Sequence, residues 1–142
     1  MTDDTCAQVQ VRRRFTASAE RVFDAWLDPK TAGRWLFATP TGKMMRVEID
    51  ARVGGGFRFT DRREGEDIDH IGRYELIDRP RRLVFSFTVP KFSAQATRVT
   101  IDIAAQETGC ELTLTHEGVL PDYTERTVGG WTMILLGLAA SL

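Results

Sequence analysis

The C-terminal stretch PDYTERTVGGWTMILLGLAASL, residues 121–142, decides the fold of this chain. From Asp122 onward it has the three- and four-residue periodicity of an amphipathic helix. The apolar residues of that periodicity are Val128, Trp131, Ile134, Leu135, Leu138 and Leu142. Asp122 and Glu125 have the spacing of a capping box, which predicts that the helix begins at Asp122. The rest of the chain forms short alternating strands that need an apolar cover, and we predict that this helix covers them.

Two adjacent glycines, Gly129 and Gly130, lie inside this predicted helix. Together they cost on the order of 2 kcal/mol of helix stability relative to alanine. Either the helix breaks here and its long part begins at Trp131, or the backbone approaches another group closely. We expect close packing against the sheet, and a hinge that opens a pocket is the alternative.

Length and composition indicate one soluble globular domain. The chain has 142 residues, of which 42% are hydrophobic and 27% charged. The net charge of −1 gives no overall attraction to nucleic acid. No apolar run is long enough to span a bilayer, and the first ten residues lack the form of a signal peptide. We therefore expect a cytoplasmic protein without membrane insertion, with residues 1–8 as a tail and residues 9–142 as the domain.

The order of predicted elements is β-α-α-β6-α. A strand over Val9–Thr16 is followed by two short helices, Ala19–Leu27, capped by Ser18, and Lys30–Trp35. Six strands follow: Met44–Ile49, Gly56–Arg63, Asp67–Ile77, Arg82–Val89, Ala96–Ala105 and Cys110–Glu117. Because most links between them are short, neighbouring strands should be antiparallel. The pattern predicts an α+β fold with an antiparallel sheet of about seven strands.

Apolar and polar residues alternate along these strands, so one side of the sheet should face a core and the other water. The apolar rows are Phe57 and Phe59; Leu83, Phe85 and Phe87; Val99, Ile101 and Ile103; Leu112, Leu114 and His116. The C-terminal helix is the element large enough to cover that apolar side. A pocket is expected between the helix and the sheet.

Several short segments, in this order and spacing, resemble the START-like (SRPBCC) superfamily. They are FTASAERVFDAW at 15–26, DP at 28–29 with Trp35 after it, DARVGG at 50–55, GRYELI at 72–77, PRRL at 80–83, THEG at 115–118 and GW at 130–131. The chain is most similar to the bacterial branch related to the C-terminal domain of the activator of heat-shock-protein-90 ATPase. The resemblance implies a helix-grip fold, in which a curved antiparallel sheet surrounds a long C-terminal helix, with a ligand-sized cavity. It implies no particular chemistry, since the fold hosts binding proteins, cyclases and co-chaperones.

The candidate ligand-binding residues combine many aromatic side chains with few polar ones. They are Trp26, Trp35, Phe57, Phe59, His70, Tyr74, Phe85, Phe87, His116, Trp131 and Leu135. For Trp26 and Trp35 we favour core packing over a place at the mouth of the pocket, because proteins fill their interiors tightly.

His116 is the best polar candidate in this set. It continues the row of Leu112 and Leu114, so it should face the helix near Trp131. It is either a hydrogen-bonded core histidine or a donor or acid/base group for a bound molecule. His70 and Tyr74 share a strand face beside Gly72, and they either line the cavity or face solvent.

No catalytic, metal or cofactor site is predicted. The two histidines and two cysteines do not form a metal-ligand cluster, and two cysteines are too few for a disulfide scaffold. The glycines at 54–56 lie between strands without a following helix or lysine, so they predict a turn rather than a phosphate loop.

Three functions remain open at this stage. The first, which we rank above an enzyme, is a small-molecule binding protein that holds an apolar or aromatic ligand between sheet and helix. The second is an interaction module that affects a chaperone ATPase. The third is a cyclase or dehydratase acting on a polyketide-like substrate, with His116 and Tyr74 as acid/base groups. Monomer and homodimer both fit a sheet that has edge strands.

Overall fold

A seven-stranded antiparallel sheet and a long C-terminal helix dominate the computed structural model, which describes residues 7–142. The strands are β1 Ala7–Phe15, β2 Lys43–Ile49, β3 Gly56–Arg63, β4 Glu66–Asp78, β5 Arg82–Phe87, β6 Thr97–Gln106 and β7 Gly109–Val119. The helices are α1 Ala19–Ala25 and α2 Thr124–Ser141, with short 3-10 helices over Ala32–Arg34 and Pro121–Tyr123. The spatial strand order is β1-β7-β6-β5-β4-β3-β2. The predicted α+β helix-grip architecture is confirmed.

The apolar rows of the strands face α2 and form one core. Phe59, Leu83, Ile101 and Leu114 are almost fully buried on this side of the sheet. The helix contributes Trp131, Leu135 and Leu138, which are buried in the same cluster. Each such side chain contributes roughly 2 kcal/mol through the area it removes from water, so α2 is essential to the fold.

The segment after α1 contains a shorter helix than the sequence predicts. Ser18 caps α1 as expected, because its hydroxyl accepts a hydrogen bond from the Arg21 amide at 3.2 Å. The predicted second helix, Lys30–Trp35, is reduced to the 3-10 helix Ala32–Arg34. The Asp28 carboxylate accepts a hydrogen bond from the Lys30 amide at 2.9 Å, and this local turn competes with a regular helix.

The start of α2 also differs from the prediction. Asp122 does not cap it, because Asp122 lies within the 3-10 helix Pro121–Tyr123 and α2 begins at Thr124. The Thr124 hydroxyl donates to the Pro121 carbonyl at 3.1 Å, which links the two segments. The capping-box spacing therefore identified the region of the helix start and gave the wrong residue.

The adjacent glycines Gly129 and Gly130 of α2 do not pack against the sheet, so that expectation is wrong. The helix runs through Gly129 and Gly130 without a break. A Cβ atom built on either glycine would have no atom within 4 Å apart from the immediate helix backbone. Gly130 instead borders an open cleft, which explains the space around it.

The first strand begins at Ala7 rather than at the predicted Val9. Most of the predicted tail, including Cys6, lies outside the described residues, and Cys110 is a buried free thiol in β7. Over residues 7–142, neither α-helix combines the length and the apolar character needed to cross a membrane.

A candidate ligand cleft between the C-terminal helix and the sheet

A cleft of about 610 Å³ runs along one side of α2. It is bordered by the segment that follows α1, by the adjoining parts of β3, β4, β5 and β7, and by α2 itself. Its lining residues are Arg34, Trp35, Phe37, Ala38, Thr39, Pro40, Arg63, His70, Phe87, Val89, His116, Arg126, Thr127, Gly130, Trp131, Met133, Ile134 and Gly137. This size and this predominantly apolar lining are typical of small-molecule sites.

Phe37 is the central aromatic residue of the cleft. Its ring lies nearly parallel to Phe87 and His70, with centroids 4.9 and 4.8 Å away. It also meets the Trp131 ring at a centroid distance of 6.0 Å. The backbone of Phe37 has a φ of 60°, a conformation that bulky residues rarely adopt. The stacking of its ring against strands and helix holds the residue in this conformation.

His116 joins β7 to α2 and to β6 through a continuous chain of hydrogen bonds. The Trp131 indole N–H donates to His116 Nδ1 at 3.0 Å. His116 Nε2 lies 2.7 Å from Thr97 Oγ1, and the Thr97 hydroxyl donates to the Phe87 carbonyl at 3.0 Å. Because an indole N–H can only donate, His116 Nδ1 must accept and Nε2 must carry the proton. Both ring nitrogens are therefore occupied by protein groups.

The environment of His116 favours its neutral form. Burial lowers the pKa of His116 from 6.5 to about 4. A neutral imidazole with both nitrogens engaged has no lone pair or proton to offer a bound molecule unless this chain of hydrogen bonds breaks. Its position near Trp131 is the one predicted from the strand pattern, and its contacts match the interpretation as a hydrogen-bonded core histidine.

His70 lies on the sheet side of the cleft and is also held by protein groups. Its Nδ1 is 3.4 Å from the Phe59 carbonyl, and its Nε2 is 3.4 Å from Arg63 Nη2. A carbonyl accepts and a guanidinium donates, so the proton is on Nδ1. Burial, with the neighbouring Arg63 charge, lowers the pKa of His70 to about 4. At neutral pH this histidine is uncharged.

Arg63 is fixed by a buried carboxylate behind the cleft wall. Its Nε donates to Asp61 Oδ2 at 2.8 Å, and the Thr39 hydroxyl donates to the same oxygen at 2.9 Å. Asp61 is fully buried, and its Oδ1 has no hydrogen-bond partner among the described residues. A buried carboxylate needs a charged partner, so the Asp61–Arg63 pair fixes the guanidinium at the cleft.

The structure brings five of the eleven predicted ligand-binding residues to this cleft. These five are Trp35, His70, Phe87, His116 and Trp131. The other six pack in the core and do not line the cleft: Trp26, Phe57, Phe59, Tyr74, Phe85 and Leu135. The room expected beside Gly72 is filled by the Phe57 ring, so Tyr74 is separated from the cleft.

Other residues of the cleft were not predicted, although the sequence contains a signal for some of them. Arg63 of the cleft, and Asp61 behind the cleft wall, continue the alternating row of Phe57 and Phe59, so this row turns from apolar to charged at the end of β3. Arg126 precedes Gly130 by one helical turn, which places both on the same flank of α2. Phe37 has no such signal, because its position depends on an irregular segment.

Metal binding has no geometric support in the described part of the chain. Between Ala7 and Leu142, no three His, Cys, Asp or Glu side chains are grouped so that they could hold a metal ion.

Comparison with solved structures shows that this architecture recurs in other bacterial proteins. Protein CV1439 from Chromobacterium violaceum is 28% identical, with 94% of each chain covered and a TM-score of 0.85. The AHSA1-like protein from Aeromonas hydrophila is 21% identical, with 95% of this chain and 91% of that chain covered and a TM-score of 0.81. CalU16 from Micromonospora echinospora is 24% identical, with 95% of this chain and 75% of that chain covered and a TM-score of 0.71. No curated protein matches this chain.

The family assignment rests on the sequence itself. The sequence profile of the Activator of Hsp90 ATPase homolog 1-like proteins matches residues 16–142. The START-like fold holds ligand-binding and cyclase-like proteins in general, and it does not specify one activity. This chain belongs to the family of Activator of Hsp90 ATPase homolog 1-like proteins.

Proposed function

We propose that this protein binds a small molecule with an apolar, aromatic body in the cleft between α2 and the sheet. The observation that carries this proposal is an open space of about 610 Å³ bordered by the rings of Trp35, Phe37, Phe87 and Trp131. Burial of a ligand's rings against these side chains provides hydrophobic and stacking contributions to affinity.

The helix side of the cleft supports the same proposal. Gly130 presents bare backbone to the cleft, and a side chain at this position would enter open space. A glycine in an exposed helix costs about 1 kcal/mol relative to alanine. No close packing contact among the described residues offsets this loss of helix stability at Gly130. What the glycine provides is space for a ligand beside the Trp131 ring.

Binding fits the cleft better than acid/base catalysis does. Both histidines are neutral at physiological pH, and protein groups occupy all four of their ring nitrogens. Tyr74, the other acid/base candidate, is buried away from the cleft, and burial raises its pKa. A cyclase or dehydratase would need a free proton donor or acceptor facing its substrate.

The test uses the neutral fluorophore N-phenyl-1-naphthylamine, whose emission increases in an apolar environment. Gly130→Leu places a side chain in the cleft, whereas Gly129→Leu places the same side chain on the adjacent helix position outside it. We expect the wild-type protein and the Gly129→Leu variant to bind the probe alike, and Gly130→Leu to bind at least about tenfold more weakly. Absence of wild-type binding, or equal binding by both variants, would contradict the proposal.

A second candidate function is an interaction with a chaperone ATPase, as the family name suggests. The observation that favours it is the exposed apolar face of α2, where Val128, Met133 and Leu136 are 40%, 59% and 48% exposed. If this face binds the chaperone, the protein should change the ATPase rate of an Hsp90, and Leu136→Glu should abolish the change. Leu136 does not line the cleft, so the same variant should still bind the fluorophore.

A further inference from the structure

We propose that the ligand of this cleft is an anion, with a carboxylate or a chemically similar acid group attached to its apolar body. This inference rests on the proposed function and defines its ligand class. It is carried by the charges of the cleft lining.

Every formally charged residue in the lining is an arginine. Arg34, Arg63 and Arg126 border the cleft, and no aspartate or glutamate does. The whole chain has 19 basic and 20 acidic residues, so its composition gives no reason for such a separation. The cleft is therefore locally positive on a protein of nearly balanced charge, and an anion would be attracted to it.

Two of these arginines have no carboxylate partner in the described part of the chain. Ion pairs between residues 7 and 142 engage many other arginines, but none involves Arg34 or Arg126. The Arg126 guanidinium lies 5.5 Å from the centre of the Tyr123 ring. This cation–π contact uses no hydrogen-bond acceptor, so the N–H groups of Arg126 stay available to one.

Arg63 has a different role because Asp61 already balances its charge. The pair is joined at 2.8 Å, and Arg63 Nη2 also donates to the Phe37 carbonyl at 3.3 Å. These contacts fix a guanidinium in the cleft wall without a free net charge. Arg34 and Arg126 therefore supply the uncompensated positive charge, and Arg63 supplies a rigid donor.

The aromatic lining strengthens the interaction with an acid group. Ligand rings that displace water from the cleft lower the local dielectric constant, so an ion pair at its edge is stronger than one in bulk water. The planar guanidinium also matches the two oxygens of a carboxylate. A cationic ligand of the same shape would be repelled.

The experiment compares two probes that differ by one charged group. 1-Anilinonaphthalene-8-sulfonate and N-phenyl-1-naphthylamine share their ring system, and the first carries a sulfonate. Their affinities are measured for the wild-type protein, for Arg34→Gln/Arg126→Gln and for Arg12→Gln/Arg58→Gln. The last variant removes the same total charge from exposed positions on β1 and β3 that do not line the cleft. Arg63 is left unchanged because its loss would leave Asp61 buried without a partner.

We expect Arg34→Gln/Arg126→Gln to weaken sulfonate binding about tenfold more than it weakens binding of the neutral probe. The Arg12→Gln/Arg58→Gln control should keep both affinities. Added salt should weaken sulfonate binding to the wild type and have little effect on the neutral probe. Gly130→Leu should weaken both probes, which places both in the cleft.

Failure of this inference is distinguishable from failure of the proposed function. If the neutral probe binds in a manner that depends on Gly130, but the cleft arginines do not change the affinity ratio of the two probes, the acid-group inference is wrong and the binding function stands. An equal change of that ratio in both arginine pairs would also overturn the inference, because it would reflect total charge rather than the cleft. If neither probe depends on Gly130, the proposed function itself fails.

Discussion

Two stripes of α2, each with helical spacing, differ sharply in what they contact. The first, which we term the core stripe, consists of Trp131, Leu135 and Leu138, all buried against the sheet. The second, the cleft stripe, consists of Arg126, Gly130, Met133 and Gly137 and borders the open cleft. Both belong to one continuous helix. The core stripe fixes the helix in place, and the cleft stripe keeps space beside it.

The difference shows how a helix-grip protein can be stable and still hold an open site. A helix that fills its whole interface with large side chains leaves no room for a ligand. Here the residues of the cleft stripe are either small or project towards solvent, and Met133 is 59% exposed. Trp131 belongs to the core stripe and also borders the cleft. The other residues of the two stripes divide stability and ligand space between different flanks, so mutations of these residues should have different consequences.

Acidification should produce the largest loss of stability, through the two buried histidines of the sheet, His70 in β4 and His116 in β7. Burial lowers both pKa values from 6.5 to about 4. Between these values the unfolded chain binds protons that the folded protein does not, so stability is complete above pH 6.5 and is lost as pH falls towards 4. The loss should be on the order of 3 kcal/mol for each histidine at the acidic end.

Denaturant unfolding across this pH range measures the effect. His116→Gln can still accept from the Trp131 indole and donate to Thr97, but it cannot titrate. In this variant, we expect the acid-induced loss of stability that the two histidines cause to be about half as large as in the wild type. A His70→Gln/His116→Gln protein with the wild-type pH profile would show that neither histidine is responsible.

The next largest effect should be the difference in unfolding free energy between a truncated side chain on the core stripe and one on the cleft stripe. Leu138 is fully buried, and Leu138→Ala should lower the free energy of unfolding by about 2–5 kcal/mol because it removes core contacts and leaves a cavity. Met133→Ala, on the cleft stripe of the same helix, should change it by less than about 0.5 kcal/mol. Chemical denaturation at neutral pH provides both values, and equal losses would refute the division of α2 into two stripes.

The smallest effects should come from adding one methyl group to the glycines of α2. Gly129→Ala and Gly130→Ala should each raise the free energy of unfolding by about 1 kcal/mol, since alanine is the better helix former and both sites are open. Gly137→Ala should gain less, because its Cβ would lie 3.1 Å from the Trp35 Cβ. Thermal unfolding of the three variants checks this order, and a destabilised Gly130→Ala would contradict the open space at that position.

The strand pattern predicted the sheet well because each row is a local property of the sequence. Leu112, Leu114 and His116 alternate with polar residues, and this was enough to place His116 near Trp131. The same reasoning could not separate cleft from core among the aromatic residues. Phe85 and Phe87 share a face of β5, yet only Phe87 reaches the cleft, since it lies at the strand end.

The sheet, its apolar side and the helix that covers it could be predicted from the sequence, because alternation and helical periodicity arise within single segments. The place where a cleft stays open between α2 and the sheet could be found only from the folded arrangement. Phe37 reaches its position through an unusual backbone conformation, and Arg34, Arg63 and Arg126 come together from three separate segments. Such a site depends on distances between parts of the chain that are far apart in sequence, and no local pattern encodes those distances.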